Sequence, residues 1–481
     1  MNMSIRFFSP AVAAFALAFT IPVPAAETFD LVLSGGRVMD PATGLDARRN
    51  IGVNGGKIAA IAEADLAGRV VVNVAGLVVA PGFIDLHQHG FKVTDLELKA
   101  QDGVTTALDL ESGNSPVGPW LADLEGKSPV NFGTTVGHLA ARYHAFRPGA
   151  VIPRESTVLG LVGTLGAARE TELRAMESEI QTGLDDGALG VGFGINYSPA
   201  ATTAEIERMF RVAARNHVPA FVHVRTNGIG AIQEVITAAE SSRAPLHIVH
   251  VGSSGSGDVP AILDLIDAKR KAGLDLTTEV YPYLAGSTRL ESAIFNDGWQ
   301  KSMGIDYGDL MWPATGERLK KESFDRYRKQ GGWVVIFSMK EENVSRAIAH
   351  AGVIIASDSI PFVDGAGHPR GAGTYARVLG HYVREQKLLP LMDALAKMTI
   401  LPARRLNHVP AMQAKGRIAV GADADLTVFD PATVIDRSTF TQGSLPSAGI
   451  SHVLVNGQFV VRGGERVKGV LPGRAVLRVK P

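Results

Sequence analysis

The 481-residue chain contains no cysteine. That excludes disulfides, thiolate metal ligands, a cysteine nucleophile and a lipidated cysteine anchor. It has no excess charge of either sign: 48 basic residues face 48 acidic ones. A broad basic surface for a nucleic acid is therefore not expected. No stretch offers the ~20 uninterrupted apolar residues that a membrane-spanning helix needs, and there is no low-complexity tract or short-period repeat. What the chain does have is apolar material, 46% of its residues. That is enough for a large core and argues against disorder.

Residues 1–26, MNMSIRFFSPAVAAFALAFTIPVPAA, start with Arg6 and continue with an apolar run from Ala11 to Ile21. Small residues and prolines follow. This is the layout of a secretory signal peptide cleaved near Ala25 or Ala26, and it predicts a periplasmic or secreted protein with no membrane association after cleavage. The run is too short to cross ~30 Å of hydrocarbon.

Two β-rich ends flank a middle of different character. DLVLSGGRVMD and NIGVNGGKIAAIAE near the start, and SHVLVNGQFVVRGGE near the end, alternate apolar residues with Gly-Gly and Asn-Gly turns, as hairpins do. Between them, eight short apolar segments alternate with longer helical ones: GLVVAPGFIDLH, GVTTALDLE, VNFGTTVGH, ALGVGFGINY, PAFVHVR, PLHIVHVG, LDLTTEVYPY and VIIASDS. Eight such units predict an α/β fold, a TIM-like (β/α)8 barrel. No Gly-rich dinucleotide loop supports the rival open sheet. The expected organisation is a signal peptide at 1–26, β-structure at 27–79, a barrel at 80–412 and β-structure at 413–481. An insertion at about 289–342 falls between strands seven and eight.

Barrel enzymes carry their chemistry at the C-terminal ends of the strands, and several of the thirteen histidines lie there. His87 and His89 form H-x-H after the first strand, where residues i and i+2 face one side. The bare pattern is weak; its position before a glycine at a strand end strengthens it. His223 closes PAFVHVR and His250 closes PLHIVHVG. Either alone reads more simply as a core histidine, but together with H-x-H they favour metal ligation. Neutral imidazoles suit Zn(II), one or two ions per subunit. His247, an odd number of residues from His250, should point away. His217, His350, His381, His408 and His452 need only packing or solvent.

Asp358 ends VIIASDS. A carboxylate closing a buried strand must be paired or metal-bound. As a site residue it could ligate metal, direct a metal-bound hydroxide as general base and then protonate the leaving amine. On the second strand Glu111 and Asp109 share a face, and a carboxylate there could bridge two ions.

With these residues the chain resembles the amidohydrolase superfamily, and more closely its D-aminoacylases (N-acyl-D-amino-acid deacylases). PGFIDLHQHG resembles the first-strand metal motif, and GRIAVGADADLTVFDP the return into a small β-sandwich built from both chain ends. GALGVGFGINYSPA, FVHVRTNG, EVYPYLAGST, ASDS and HPRGAGTYARVLGHYVRE resemble deacylase elements, the last most specifically. The resemblance implies metal ligation by His87, His89, His223 and His250, with Asp358 as acid and base. It implies that His368, Arg370 and Arg377 shape the site, and that Tyr283 and Ser287, in a Gly-Ser-Thr turn, contact a substrate carboxylate. Arg225 and Arg377 are further candidates for substrate binding, and for both the competing expectation is a buried structural ion pair.

Two departures stand out. Many D-aminoacylases carry a metal-bridging cysteine on the second strand, where this chain has Ser112. Glu111, one residue earlier, is the substitute, provided a bulge re-aims it. The lysine that family members often carry after the second single histidine is missing from HVGSSGSGD, and the fourth strand has no lysine to carbamylate. The expected function is zinc-dependent hydrolysis of a linear amide, an N-acyl-D-amino acid or a dipeptide-like small molecule. The alternatives are a dipeptidase, a cyclic-amide hydrolase or an esterase on the same scaffold, or a catalytically silent periplasmic binding protein. A homo-oligomer is compatible with the sequence.

Overall fold

The computed structural model describes residues 1, 3–5, 28–152 and 158–479. Nearly all of the expected signal peptide lies outside the described residues. Among them, no helix is long and apolar enough to cross a membrane.

Eight parallel strands stand side by side in chain order: Phe83–Asp85, Val104–Asn114, Asn131–Gly137, Val191–Gly194, Ala220–His223, Leu246–Ile248, Leu276–Val280 and Val353–Ile355. They fall in the eight apolar segments of the sequence, most of them trimmed at their ends, while the second runs on to Asn114. Helices fill the intervals because their patterning demands it. TAEIERMFRVAARNH becomes the helix Thr203–Arg215, opened by Thr202, whose side chain accepts the Glu205 N–H at 3.1 Å. It buries Ile206, Met209, Phe210 and Ala213, spaced along one face.

The first apolar segment divides in two. Val78–Pro81 pairs with Leu426–Phe429 from the far end of the chain, and only Phe83–Asp85 enters the barrel. Gly82 is the crossing point. A Cβ there would lie 2.2 Å from Thr105 Oγ1, so a side chain would drive the first two barrel strands apart.

The two chain ends share one nine-stranded sheet. It curls over, because Lys57 at its far edge bridges to Asp423, just ahead of Leu426–Phe429. Leu33, Ile51, Val53, Ile58, Leu426 and Leu454 thereby fill one sandwich-like core. Between barrel strands seven and eight lies a four-stranded sheet, Ala285–Arg289, Leu310–Trp312, Glu317–Arg318 and Trp333–Phe337, over its own core around Trp299, Phe324 and Tyr327. Ser287 sits on its first strand opposite Val335, not in the expected turn. The sheet thus begins four residues before the expected insertion, since Gly-Ser-Thr is drawn into pairing with the apolar strand WVVIF.

Strands one and eight are joined only by an isolated bridge, Gln88 to Ser359. The buried carboxylate of Asp85 reinforces this seam. It accepts the Ser357 N–H at 3.0 Å, the Ser357 hydroxyl at 2.5 Å and the His87 N–H at 3.2 Å. Lys99, on the helix Val93–Gln101, approaches it at 2.9 Å, and both side chains are fully buried. Lys99→Met leaves that carboxylate without its countercharge and should cost about 3–5 kcal/mol, read as a lower apparent Tm. The double variant Asp85→Asn/Lys99→Met should recover part of the loss. A Lys99→Met protein as stable as the parent would show that the seam does not depend on this charge.

Candidate metal centre

The barrel brings six donor side chains from five strands to its C-terminal mouth. His87 Nε2 and His89 Nε2 lie 3.0 Å apart. Glu111 Oε2 is 3.2 Å from the first and 3.0 Å from the second. Asp358 Oδ1 stands 3.4 Å and 3.7 Å from the same two nitrogens. The other carboxylate oxygen, Glu111 Oε1, reaches His223 Nδ1 at 2.7 Å and His250 Nε2 at 3.7 Å. One carboxylate therefore spans two pairs of imidazoles.

Local backbone geometry aims these groups. The register of strand two against strand three breaks between Asp109 and Asn114, and Gly113 has φ +62°. That irregularity turns Glu111 into the mouth. Asp109 takes another place, with Oδ1 3.2 Å from His89 Nδ1. Ser112 donates to Glu111 Oε2 at 3.3 Å. His250 (φ 35°) and Asp358 (φ 51°) both occupy the left-handed region. Such backbone costs of order 1–3 kcal/mol for a non-glycine residue and concentrates at functional sites.

The donor set fits zinc. His87 Nδ1 faces Glu279 Oε1 at 2.6 Å, and a carboxylate only accepts. Nδ1 therefore carries the proton in the neutral ring, and the Nε2 lone pair faces inward. Asp109 orders His89 the same way. Two imidazole lone pairs at 3.0 Å beside a carboxylate oxygen repel unless a cation or protons lie between them. A tetrahedron with ~2.0–2.1 Å bonds has edges of about 3.3 Å, close to the spacings of His87, His89, Glu111 and Asp358. Three overlapping groups of these residues each place one ligand atom per residue within 4.8 Å.

Charge balance leads the same way. Burial opposes a charged His89, but Asp109 and Glu111 outweigh it and push the ring up to about 9. For His87 burial is likewise overcome, by Asp358, Glu279 and Glu111, and its pKa lies well above the usual value. Burial works to raise Glu111, yet the four surrounding imidazoles hold it well below the ordinary carboxylate range.

Arg370 is fully buried beside the cluster, with Nη1 2.9 Å from Asp358 Oδ2. Its Nη2 donates to the Ser287 carbonyl at 3.3 Å, and the guanidinium lies 4.6 Å over the Tyr281 ring. His368 Nε2 donates to the Ala285 carbonyl at 2.8 Å, and its Nδ1 accepts the Arg370 N–H. Burial, then Arg370, holds its pKa well below the usual value.

The remaining candidates are committed to the protein itself. Arg225 pairs with Glu234 at 2.9 Å and donates to the Ala201 carbonyl. Tyr283 Oη donates to Asp436 at 3.1 Å, and Arg377 pairs with the same Asp436 oxygen at 3.4 Å. The structural ion pair is thus the arrangement found for both arginines. The Ser287 hydroxyl donates to the Val334 carbonyl at 2.8 Å.

Glu279 was not singled out in the sequence. Its signal is the one that marks Asp358: a carboxylate inside a buried strand, here LTTEV, must be paired or metal-bound. Tyr197 was also missed: its ring stands edge-on to His223, with centroids 5.2 Å apart.

The sequence profile of a family described as "Amidohydrolase family" matches residues 70–461. An N-acyl-D-glutamate deacylase of Alcaligenes xylosoxydans xylosoxydans is 33% identical, over 90% of this chain and 93% of its own. A D-aminoacylase of the same organism is 33% identical, over 90% of this chain and 94% of its own. Among solved structures, the N-acyl-D-glutamate deacylase of Bordetella bronchiseptica, complexed with zinc and a phosphonate mimic of the tetrahedral intermediate, is similar with a TM-score of 0.80. It is 29% identical, and the match covers 94% of this chain and 100% of that one.

Metal ligands must shed their protons. Since Asp109 and Glu111, against the opposing effect of burial, push His89 up to about 9 without metal, zinc binding at pH 7.5 should release at least one proton. Apparent zinc affinity should then rise with pH up to about 9. Calorimetric titrations in buffers of different ionisation heat check this; a buffer-independent heat would mean that the rings are neutral beforehand.

Proposed function

The chain belongs to the amidohydrolase family, and on that premise we propose that it is a zinc-dependent deacylase of N-acyl-D-amino acids. The observation that carries this reading is the Glu111 carboxylate set between two imidazole pairs, with Asp358 beside one of them. Relatives named as N-acyl-D-glutamate deacylase and D-aminoacylase, each matched over nine-tenths of this chain, support it.

His87, His89, Glu111, His223, His250 and Asp358 would hold the metal. Bound zinc supplies a Lewis acid for the acyl carbonyl and a water more acidic than bulk water. Arg370 engages Asp358 through Oδ2. That leaves Oδ1, on the cluster side, to take the proton of the attacking water. The same oxygen then returns the proton to the departing amine nitrogen. Fixing the carboxylate in this orientation keeps one acceptor in line with both transfers.

Arg370 is also the charged donor nearest to Asp358, and we assign it the substrate carboxylate as a second partner through its fork. His368 holds Arg370 from behind. Tyr283, Arg377 and Arg225, each tied to an internal carboxylate, shape the wall, and Ser287 presents its carbonyl to Arg370. Export is proposed on the layout of residues 1–26 alone. A periplasmic protein starting near Ala26 would support it, and a full-length cytoplasmic one would oppose it.

The test is turnover of a chiral panel of N-acetyl-D- and N-acetyl-L-amino acids, dipeptides, hydantoins and esters, with Asp358→Asn alongside. The expected outcome is hydrolysis of the D-acyl compounds with release of free amine. Asp358→Asn should lose about 10²–10⁴-fold in kcat while still binding zinc. Turnover confined to dipeptides or hydantoins, or an Asp358→Asn protein as active as the parent, would overturn the assignment.

A further inference from the structure

Behind the metal centre, away from its open side, lies a second chain of buried polar groups. Glu279, on barrel strand seven, has only 2% of its side chain exposed, and His87 and His247 have none. Glu279 Oε1 is 2.6 Å from His87 Nδ1, and its other oxygen is 3.0 Å from His247 Nε2. His247 Nδ1 in turn lies 2.7 Å from Thr277 Oγ1. Strand parity made His247 point away from His250, and it does. His250 lies beyond the end of its strand, Leu246–Ile248, in a left-handed conformation, whereas His247 points at Glu279.

Donors and acceptors along this chain can be assigned without ambiguity. A carboxylate only accepts, so His87 Nδ1 and His247 Nε2 both carry protons toward Glu279. His247 Nδ1 is then the acceptor for the Thr277 hydroxyl. In its neutral, metal-binding form His87 is left with its lone pair on Nε2, the atom that faces Glu111 and Asp358. Both oxygens of Glu279 are used, so the carboxylate cannot rotate without breaking one of the two bonds. Packing does not require such a chain. A buried carboxylate is costly unless fully satisfied, and an apolar residue would fill the same space at less cost.

We propose that Glu279, locked by His247 and Thr277, is the positioning residue that fixes the ring orientation and tautomer of His87 for metal binding. It acts through His87 and touches neither metal nor substrate. An amide at 279 offers one acceptor and one donor. It can satisfy only one of the two imidazole N–H groups, and the other ring must change tautomer. This inference rests on the reading of the six-residue cluster as a zinc site.

The experiment uses the chelator-stripped full chain. Zinc affinity is measured by competition with a chromophoric chelator, and the visible spectrum of the Co(II)-loaded protein reports ligand geometry. Glu279→Ala should lose about 10–100-fold in zinc affinity and alter the Co(II) spectrum. His247→Leu should lose less, and the double variant should match Glu279→Ala, because the two residues form one chain. Wild-type affinity and spectrum in a folded Glu279→Ala protein would overturn the proposal, as would additive losses in the double variant. If Glu279→Ala does not fold, His247→Leu decides: an unchanged affinity and spectrum overturns it. A parent protein that binds no zinc would instead defeat the metal reading itself.

Discussion

The seam between the first and last barrel strands is held by one buried carboxylate. Asp85 reaches across from the H-x-H strand to the backbone and hydroxyl of Ser357, and Lys99 neutralises it from the helix behind. His87 and His89 follow Asp85, and Asp358 follows Ser357. The candidate metal cluster is therefore assembled across a seam where no continuous ladder sets the register. A slip of one residue there would turn Asp358 away from His87, since successive residues of a strand face opposite sides. The short cross-seam bonds from His89 N–H to the Ser359 carbonyl, 2.8 Å, and from Ser359 N–H to the His87 carbonyl, 3.2 Å, complete the lock.

Given that scaffold, electrostatics decide what the mouth can hold. Glu111, Asp358, Asp109 and Glu279 crowd around four imidazoles in a buried space. Arg370 and protons can balance part of this charge, but the inward lone pairs of His87 and His89 call for a cation. Several of the candidate ligands have an outer partner: Asp109 for His89, Glu279 for His87, Arg370 for Asp358, and Ser254, 3.0 Å from His250 Nδ1, for His250. Such partners orient ligands and tune their basicity. The left-handed backbone at His250 and Asp358 is tolerated because these contacts over-determine it.

The charges further out are spent on the protein. Arg225 is closed onto Glu234, and Arg377 and Tyr283 onto Asp436, which comes from the segment that returns to the end sheet. Arg377 and Tyr283 are thus tied to a segment near the far end of the chain. The inserted sheet contributes backbone more than side chains, offering Ser287 O to Arg370 and Ala285 O to His368.

Apolar periodicity was enough to locate all eight barrel strands, because a strand buried on both faces must be apolar whatever surrounds it. The same logic exposed His87, His89, His223, His250 and Asp358 as polar residues at buried strand ends, and the missing cysteine moved attention to Glu111. Other features depend on distance across the fold, which no local pattern encodes. The break in strand two that aims Glu111, the division of the first apolar segment at Gly82, and the pairing of Ser287 with Val335 each arise from a neighbour remote in sequence. The role of Glu279 belongs with them. Its partners His87 and His247 lie 192 and 32 residues away, and only barrel closure makes them one hydrogen-bonded chain.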